Sequence, residues 1–130
     1  MSGTLVLDCE GLSLLVRRSA DLLEWLVAAE AEDVRVVTSS VTLVEARDAR
    51  VPQARFDYAA SRVNVIPPSE AIARLACKLL AGAGLHGHKY ALDALVAATA
   101  LSSPAPVTVL TSDPEDLTVL CGPGVRVFKV

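Results

Sequence analysis

Five short apolar runs rich in valine punctuate the chain: TLVLD at 4–8, VRVVTS at 34–39, VNVIPP at 63–68, VTVLTS at 107–112 and VRVFKV at 125–130. Their length, their β-branched content and the turn residues around them predict strands, and their near-continuous apolarity predicts strands covered on both faces. Between the runs the spacing changes to helical periodicity over Ala20–Glu32, Val41–Ala49, Ser69–Ala81 and Tyr90–Leu101. Strands alternating with helices predict an α/β domain of three layers, α/β/α, with a five-stranded parallel sheet. Right-handed crossovers leave few sheet orders. The common doubly wound one sends strands 2 and 3 to one side of strand 1 and strands 4 and 5 to the other, giving 3-2-1-4-5. In such sheets ligands bind where the winding reverses, here outside the C-terminal ends of strands 1 and 4. The glycine-rich stretch GAGLHGHK at 82–89 predicts a mobile loop. No repeat, low-complexity tract or linker divides residues 1–130, which read as one domain.

Composition narrows the classes. With 130 residues, 52% hydrophobic and 21% charged, the chain can bury a substantial aliphatic core and is not a disordered sequence. No apolar run approaches the ~18 residues a membrane span needs. The opening MSGTLVLDCEG meets an acid before a signal-peptide core could form, so a soluble, cytoplasmic protein is expected. Cys9, Cys77 and Cys121 are odd in number and unpatterned, which suggests small buried hydrophobes and neither a disulfide framework nor a zinc site. A formal charge of −3 gives no basic surplus, so any nucleic-acid contact must be local. One candidate is ARDARVPQARFDYAASR at 46–62, where Arg47, Arg50, Arg55 and Arg62 outnumber Asp48 and Asp57 and two aromatics are interleaved. A solvated amphipathic helix is the competing reading.

The acids carry the chemistry. Asp8 ends the first strand and Asp113 follows the fourth, so the expected topology brings both to the reversal point, where they repel unless a cation or proton sits between them. Glu45 in SVTLVEA and Asp93 in KYALDALVAATA place charge inside apolar helical stretches. Each acid has a local alternative. Asp8 could be a turn residue, Glu45 a surface partner of Arg47, and Asp93 an acid favouring a helix start. Asp113 could cap a helix beginning at Pro114, with Asp116 supporting the same helix start. Taken together, oxygen donors at one sheet edge suit Mg²⁺ or Mn²⁺, and His86 and His88 do not make a zinc set. A cation held by carboxylates polarises phosphoryl oxygens and stabilises a leaving oxygen, which favours phosphodiester hydrolysis as the reaction class.

On these residues the chain resembles a PIN domain, and more narrowly a VapC-type toxin ribonuclease of a bacterial type II toxin–antitoxin pair. The segments that carry the resemblance are LVLDCEGLS, SSVTLVEARD, YALDALVAATAL and VLTSDPEDL, in the family's order. It implies an endoribonuclease using Mg²⁺ or Mn²⁺, restrained by a small antitoxin and commonly a homodimer. Asp8, Asp93 and Asp113 would be metal ligands or close to them, Glu45 would orient water, and Asp116 would assist from the edge. Many relatives carry Ser or Thr two residues after the first Asp, where this chain has Glu10. Asp113 could cap a helix with one oxygen and face a metal with the other, oriented by Thr111 and Ser112. A receiver domain is excluded because the third strand ends in IPPS and not in a phosphate-accepting Asp. A haloacid dehalogenase phosphatase wants Asp where Glu10 stands. The remaining alternative is a PIN-like module that binds RNA or protein without catalysis.

Overall fold

β1 (Thr4–Leu7), β2 (Arg35–Ser39), β3 (Asn64–Ile66), β4 (Val107–Thr111) and β5 (Val125–Lys129) pair in parallel in the order β3-β2-β1-β4-β5. The computed structural model describes residues 3–130. Leu7 at the end of β1 lies opposite Thr38 of β2 and Leu110 of β4, so all three central strands finish at one level. The Thr38 hydroxyl donates to the Leu7 carbonyl at 2.8 Å, which ties β1 to β2 at this end.

Side chains alternate along β1 and so feed two cores. Leu5 and Leu7 pack with Leu12 and Leu15 of α1 (Cys9–Val16), Leu22 and Leu26 of α2 (Ala20–Ala31), and Phe56 of α4 (Gln53–Ser61). Val6 points the other way, with Val37 and Val109, toward Ile72 and Ala76 of α5 (Glu70–Ala83), Ala94, Ala97 and Ala98 of α6 (Gly87–Leu101), and Leu117 of α7 (Pro114–Cys121). The short α3 (Ser40–Ala46) follows β2 directly. The three layers, the parallel sheet and its order match the reading of the hydrophobic pattern. Coverage of both faces holds only in the middle of the sheet. Edge strands β3 and β5 expose Asn64, Val65, Arg126 and Phe128, because nothing flanks them on one side.

α1 had no counterpart among the predicted helices. It is eight residues long and contains a glycine, which weakens any periodicity signal. The glycine has a packing reason: a Cβ at Gly11 would lie 3.2 Å from Leu7 Cβ and 3.3 Å from the Leu110 carbonyl oxygen. Gly11→Val is therefore expected to destabilise the domain by about 2 kcal/mol, lowering Tm by roughly 5–10 °C. An unchanged melting curve would contradict so close an approach of α1 to the sheet.

The stretch at 82–89 is mostly helical and not a loop. α5 continues through Ala83 and closes at Gly84, whose φ of 66° is the left-handed conformation that glycine tolerates. Only Gly84–His86 link the two helices before α6 begins at Gly87. α6 is kinked at Tyr90 (φ −110°, ψ 16°), so Asp93 falls in the first turn of its straight part. Among the cysteines only Cys121 is a buried hydrophobe, while Cys77 is exposed and Cys9 is half-buried. Among the described residues no helix is long and apolar enough to cross a membrane.

Candidate metal centre

Five acids reach the C-terminal edge of the sheet from four segments. Asp8 leaves β1 and caps α1, its Oδ1 accepting the Gly11 N–H at 3.0 Å. Asp113 leaves β4 two residues after Thr111, and its own N–H donates to the Thr111 hydroxyl at 2.9 Å. Asp113 occupies the cap position of α7 but its side chain makes no capping hydrogen bond. The expected division of labour is thus corrected: the carboxylate that caps is Asp8, and the Asp113 carboxylate is left free of that role because Thr111 has already turned its backbone. Glu45 comes from the last turn of α3, Asp93 from α6 and Asp116 from the first turn of α7.

Asp8, Glu45, Asp93 and Asp113 line an open cleft of about 270 Å³ together with Cys9, Glu10, Val96 and Ser112. Beside it, one carboxylate oxygen each of Asp93, Asp113 and Asp116 lie within 4.8 Å of one another. Asp8, only 8% exposed, forms the inner wall. Glu45 makes no ion pair among the described residues. Arg47 instead bonds to Gln53 and the Asp48 and Val51 carbonyls, so the surface pairing considered for Glu45 does not form. Glu10 borders the cleft with its carboxylate tied along α1 to Arg17 at 3.0 Å.

Proton affinities follow from this crowding. Burial, then the charges of Asp116, Asp113, Glu45 and Asp8, push the Asp93 carboxyl up to about 6. Burial also raises Asp8, against hydrogen bonds from the Thr111 hydroxyl and the Gly11 and Glu10 N–H groups. Glu45 is raised by burial and by the Asp8 charge. Asp116 is raised first by its hydrogen bond with Asp113, with Lys89 opposing. Cys9, pushed up to about 11 by burial and by Glu45, Asp8 and Glu10, stays a neutral thiol at physiological pH and is no nucleophile there.

Clustered carboxylates whose charged forms disfavour one another are a fit for a hard divalent cation. The donors are all oxygen, with no imidazole among them, and the cation would remove the repulsion. Lys89 escaped the sequence reading. It stands four residues before Asp93, a helical pairing distance, but the kink at Tyr90 breaks the register and leaves its ammonium 5.3 Å over the Tyr90 ring.

A 3-2-1-4-5 parallel sheet between two helical layers, with acids gathered beyond its C-terminal edge, is the PIN fold. Solved structures share it over nearly the whole chain. VapBC2 from Rickettsia felis, determined bound to a DNA fragment from their promoter, matches with a TM-score of 0.67 and 14% identity, covering 97% of this chain and 98% of that one. A toxin–antitoxin complex from Klebsiella pneumoniae matches with a TM-score of 0.68 and 23% identity, covering 97% and 99%. PAE2754 from Pyrobaculum aerophilum matches with a TM-score of 0.61 and 18% identity, covering 98% and 92%. At these identities the likeness is one of fold. No protein-family model and no curated protein matches the sequence.

Proposed function

We propose that the chain is a metal-dependent endoribonuclease toxin that hydrolyses RNA phosphodiester bonds and is neutralised by a cognate antitoxin. The observation that carries this reading is the convergence of five acids from four separate segments on one sheet edge. Two structures of the same fold come from toxin–antitoxin complexes, which supports the toxin assignment. Asp93, Asp113 and Asp116 would hold Mg²⁺ or Mn²⁺, with Asp8 turned to it from the wall. The cation, when bound, supplies charge neutralisation at the phosphoryl group and at the leaving oxygen. Glu45, across the cleft and with a raised proton affinity, would accept a proton from the attacking water. Asp8 is fixed by the Gly11 N–H and so would keep its second oxygen for the site. The protein would act in the cytoplasm, as a homodimer, on RNA.

Incubation of total RNA with the purified protein tests the reading. Discrete fragments are expected with Mn²⁺ or Mg²⁺ and none in EDTA. RNA left intact under both conditions would favour a non-catalytic binding module, and cutting that persists in EDTA would remove the metal from the scheme. Co-purification of a small protein that suppresses cleavage tests the antitoxin.

A further inference from the structure

The acidic edge that would cut RNA also repels it, and a chain with net charge −3 needs cationic ground elsewhere to hold a polyanion. Most arginines near the site are already engaged. Arg17 pairs with Glu10, Arg50 with Asp48 and Arg74 with Glu70. Arg47 is turned over Phe56 and onto backbone carbonyls. Of the basic stretch at 46–62, Arg47, Arg55 and Arg62 have no acid partner among the described residues, and of these Arg55 and Arg62 face a separate cleft.

These two meet Arg18 around a cleft of about 410 Å³ between α1, α2 and α4, with Leu15 and Leu23 in its lining and no carboxylate. Tyr58, 57% exposed, stands on the same wall. Arg18 follows α1 with φ 59°, a backbone conformation in which a long side chain is uncommon. The Arg55 Nε donates to the Val16 carbonyl at 2.8 Å, which fixes one guanidinium at the rim. Three cations, an exposed aromatic ring and an apolar floor are the parts of a single-strand nucleic-acid site: guanidinium groups for phosphates and a ring on which a base stacks. α1 connects this cleft to the acids. Its eight residues run from Cys9 in the acidic cleft to Val16 at the arginine cleft, roughly 12 Å.

We propose that the Arg18, Arg55, Arg62 and Tyr58 cleft anchors single-stranded RNA, holding the strand a few nucleotides away from the acidic edge where it is cut. The inference rests on the ribonuclease reading for its purpose but not for its test. Binding is measured by fluorescence anisotropy in EDTA with a labelled single-stranded RNA of mixed sequence, roughly a dozen nucleotides long. Removing two phosphate contacts in the double variant Arg18→Gln/Arg62→Gln should weaken binding roughly tenfold and flatten the dependence of log K on log salt by about 1.4. Tyr58→Ala should weaken binding without changing that slope. Arg74→Gln/Arg126→Gln, which removes the same charge from other faces, should bind as the unsubstituted protein does. Arg55 is left in place because it also secures the Val16 carbonyl, and a melting curve for each variant separates misfolding from lost contact.

Equal loss in both double variants, or no loss in either, overturns the anchor. Undiminished RNA binding with loss of a co-purifying protein overturns it too, because the cleft would then be a protein-docking surface. If the arginines are needed for binding but no RNA is cut under any condition, the anchor stands and the nuclease reading fails. If RNA is cut while both double variants bind alike, the reverse holds.

Discussion

Asp93→Asn is expected to reduce RNA cleavage by at least two orders of magnitude while raising the melting temperature of the metal-free protein at neutral pH. The two effects have one cause. Asp93 is half-buried on α6, and its charged form is opposed by burial and by the charges of Asp116, Asp113, Glu45 and Asp8. Asparagine keeps the shape and removes that repulsion, worth ~1 kcal/mol after allowance for solvent screening, or about 3–5 °C in Tm. The same change takes a charged oxygen from the triple with Asp113 and Asp116, where charge stabilisation of a reacting phosphoryl group is worth several kcal/mol. A residue kept for stability would show the opposite pairing, with activity and Tm falling together. Paired melting and cleavage assays on the variant decide between them, and a variant that is both stable and fully active would remove Asp93 from the mechanism.

Much of this arrangement could be read from the amino-acid order because hydrophobic period and sheet topology are coupled. Continuous apolar runs mark the strands, the crossover rule restricts their order, and that order places Asp8 and Asp113 side by side. Glu45 and Asp93 stood out for a simpler reason: a charge costs free energy in an apolar helix unless something compensates. The limits were local. α1 was hidden by Gly11, whose absent side chain reflects a contact with Leu7 and Leu110 that lie far away in sequence or across a turn. The role of Thr111 in turning the Asp113 backbone, and hence the release of the Asp113 carboxylate from capping, depends on side-chain geometry that spacing does not encode. Within 46–62, a run of four arginines looks uniform in sequence. Folding divides it into an inward Arg47, a paired Arg50, and Arg55 and Arg62 facing a separate cleft.

Metal-free protein should lose stability as pH rises from the ordinary carboxylate range through about 6, the reverse of simple acid denaturation. The sign follows from linkage. Asp93 titrates near 6 in the folded chain and near the ordinary aspartate value of 3.8 when unfolded, and Asp8, Glu45 and Asp116 are shifted in the same direction. Between those limits the folded state binds more protons than the unfolded one. The contribution is therefore fully present below the unfolded value and gone once pH passes the folded one. For Asp93, half exposed, the discounted size is ~1–2 kcal/mol, about 3–8 °C of Tm. A divalent cation competes with protons for the same oxygens, so its stabilisation should grow over the same interval, reaching ~2.7 kcal/mol at a hundredfold excess over its dissociation constant. Melting curves from pH 4.5 to 7.5 in EDTA and in Mn²⁺ should consequently diverge as pH rises, and Asp93→Asn should narrow the gap. Parallel curves with and without Mn²⁺ would mean that the five carboxylates share an edge of the sheet without sharing an ion, whereas divergence would tie the raised proton affinities of Asp8, Glu45, Asp93 and Asp116 to the site they line.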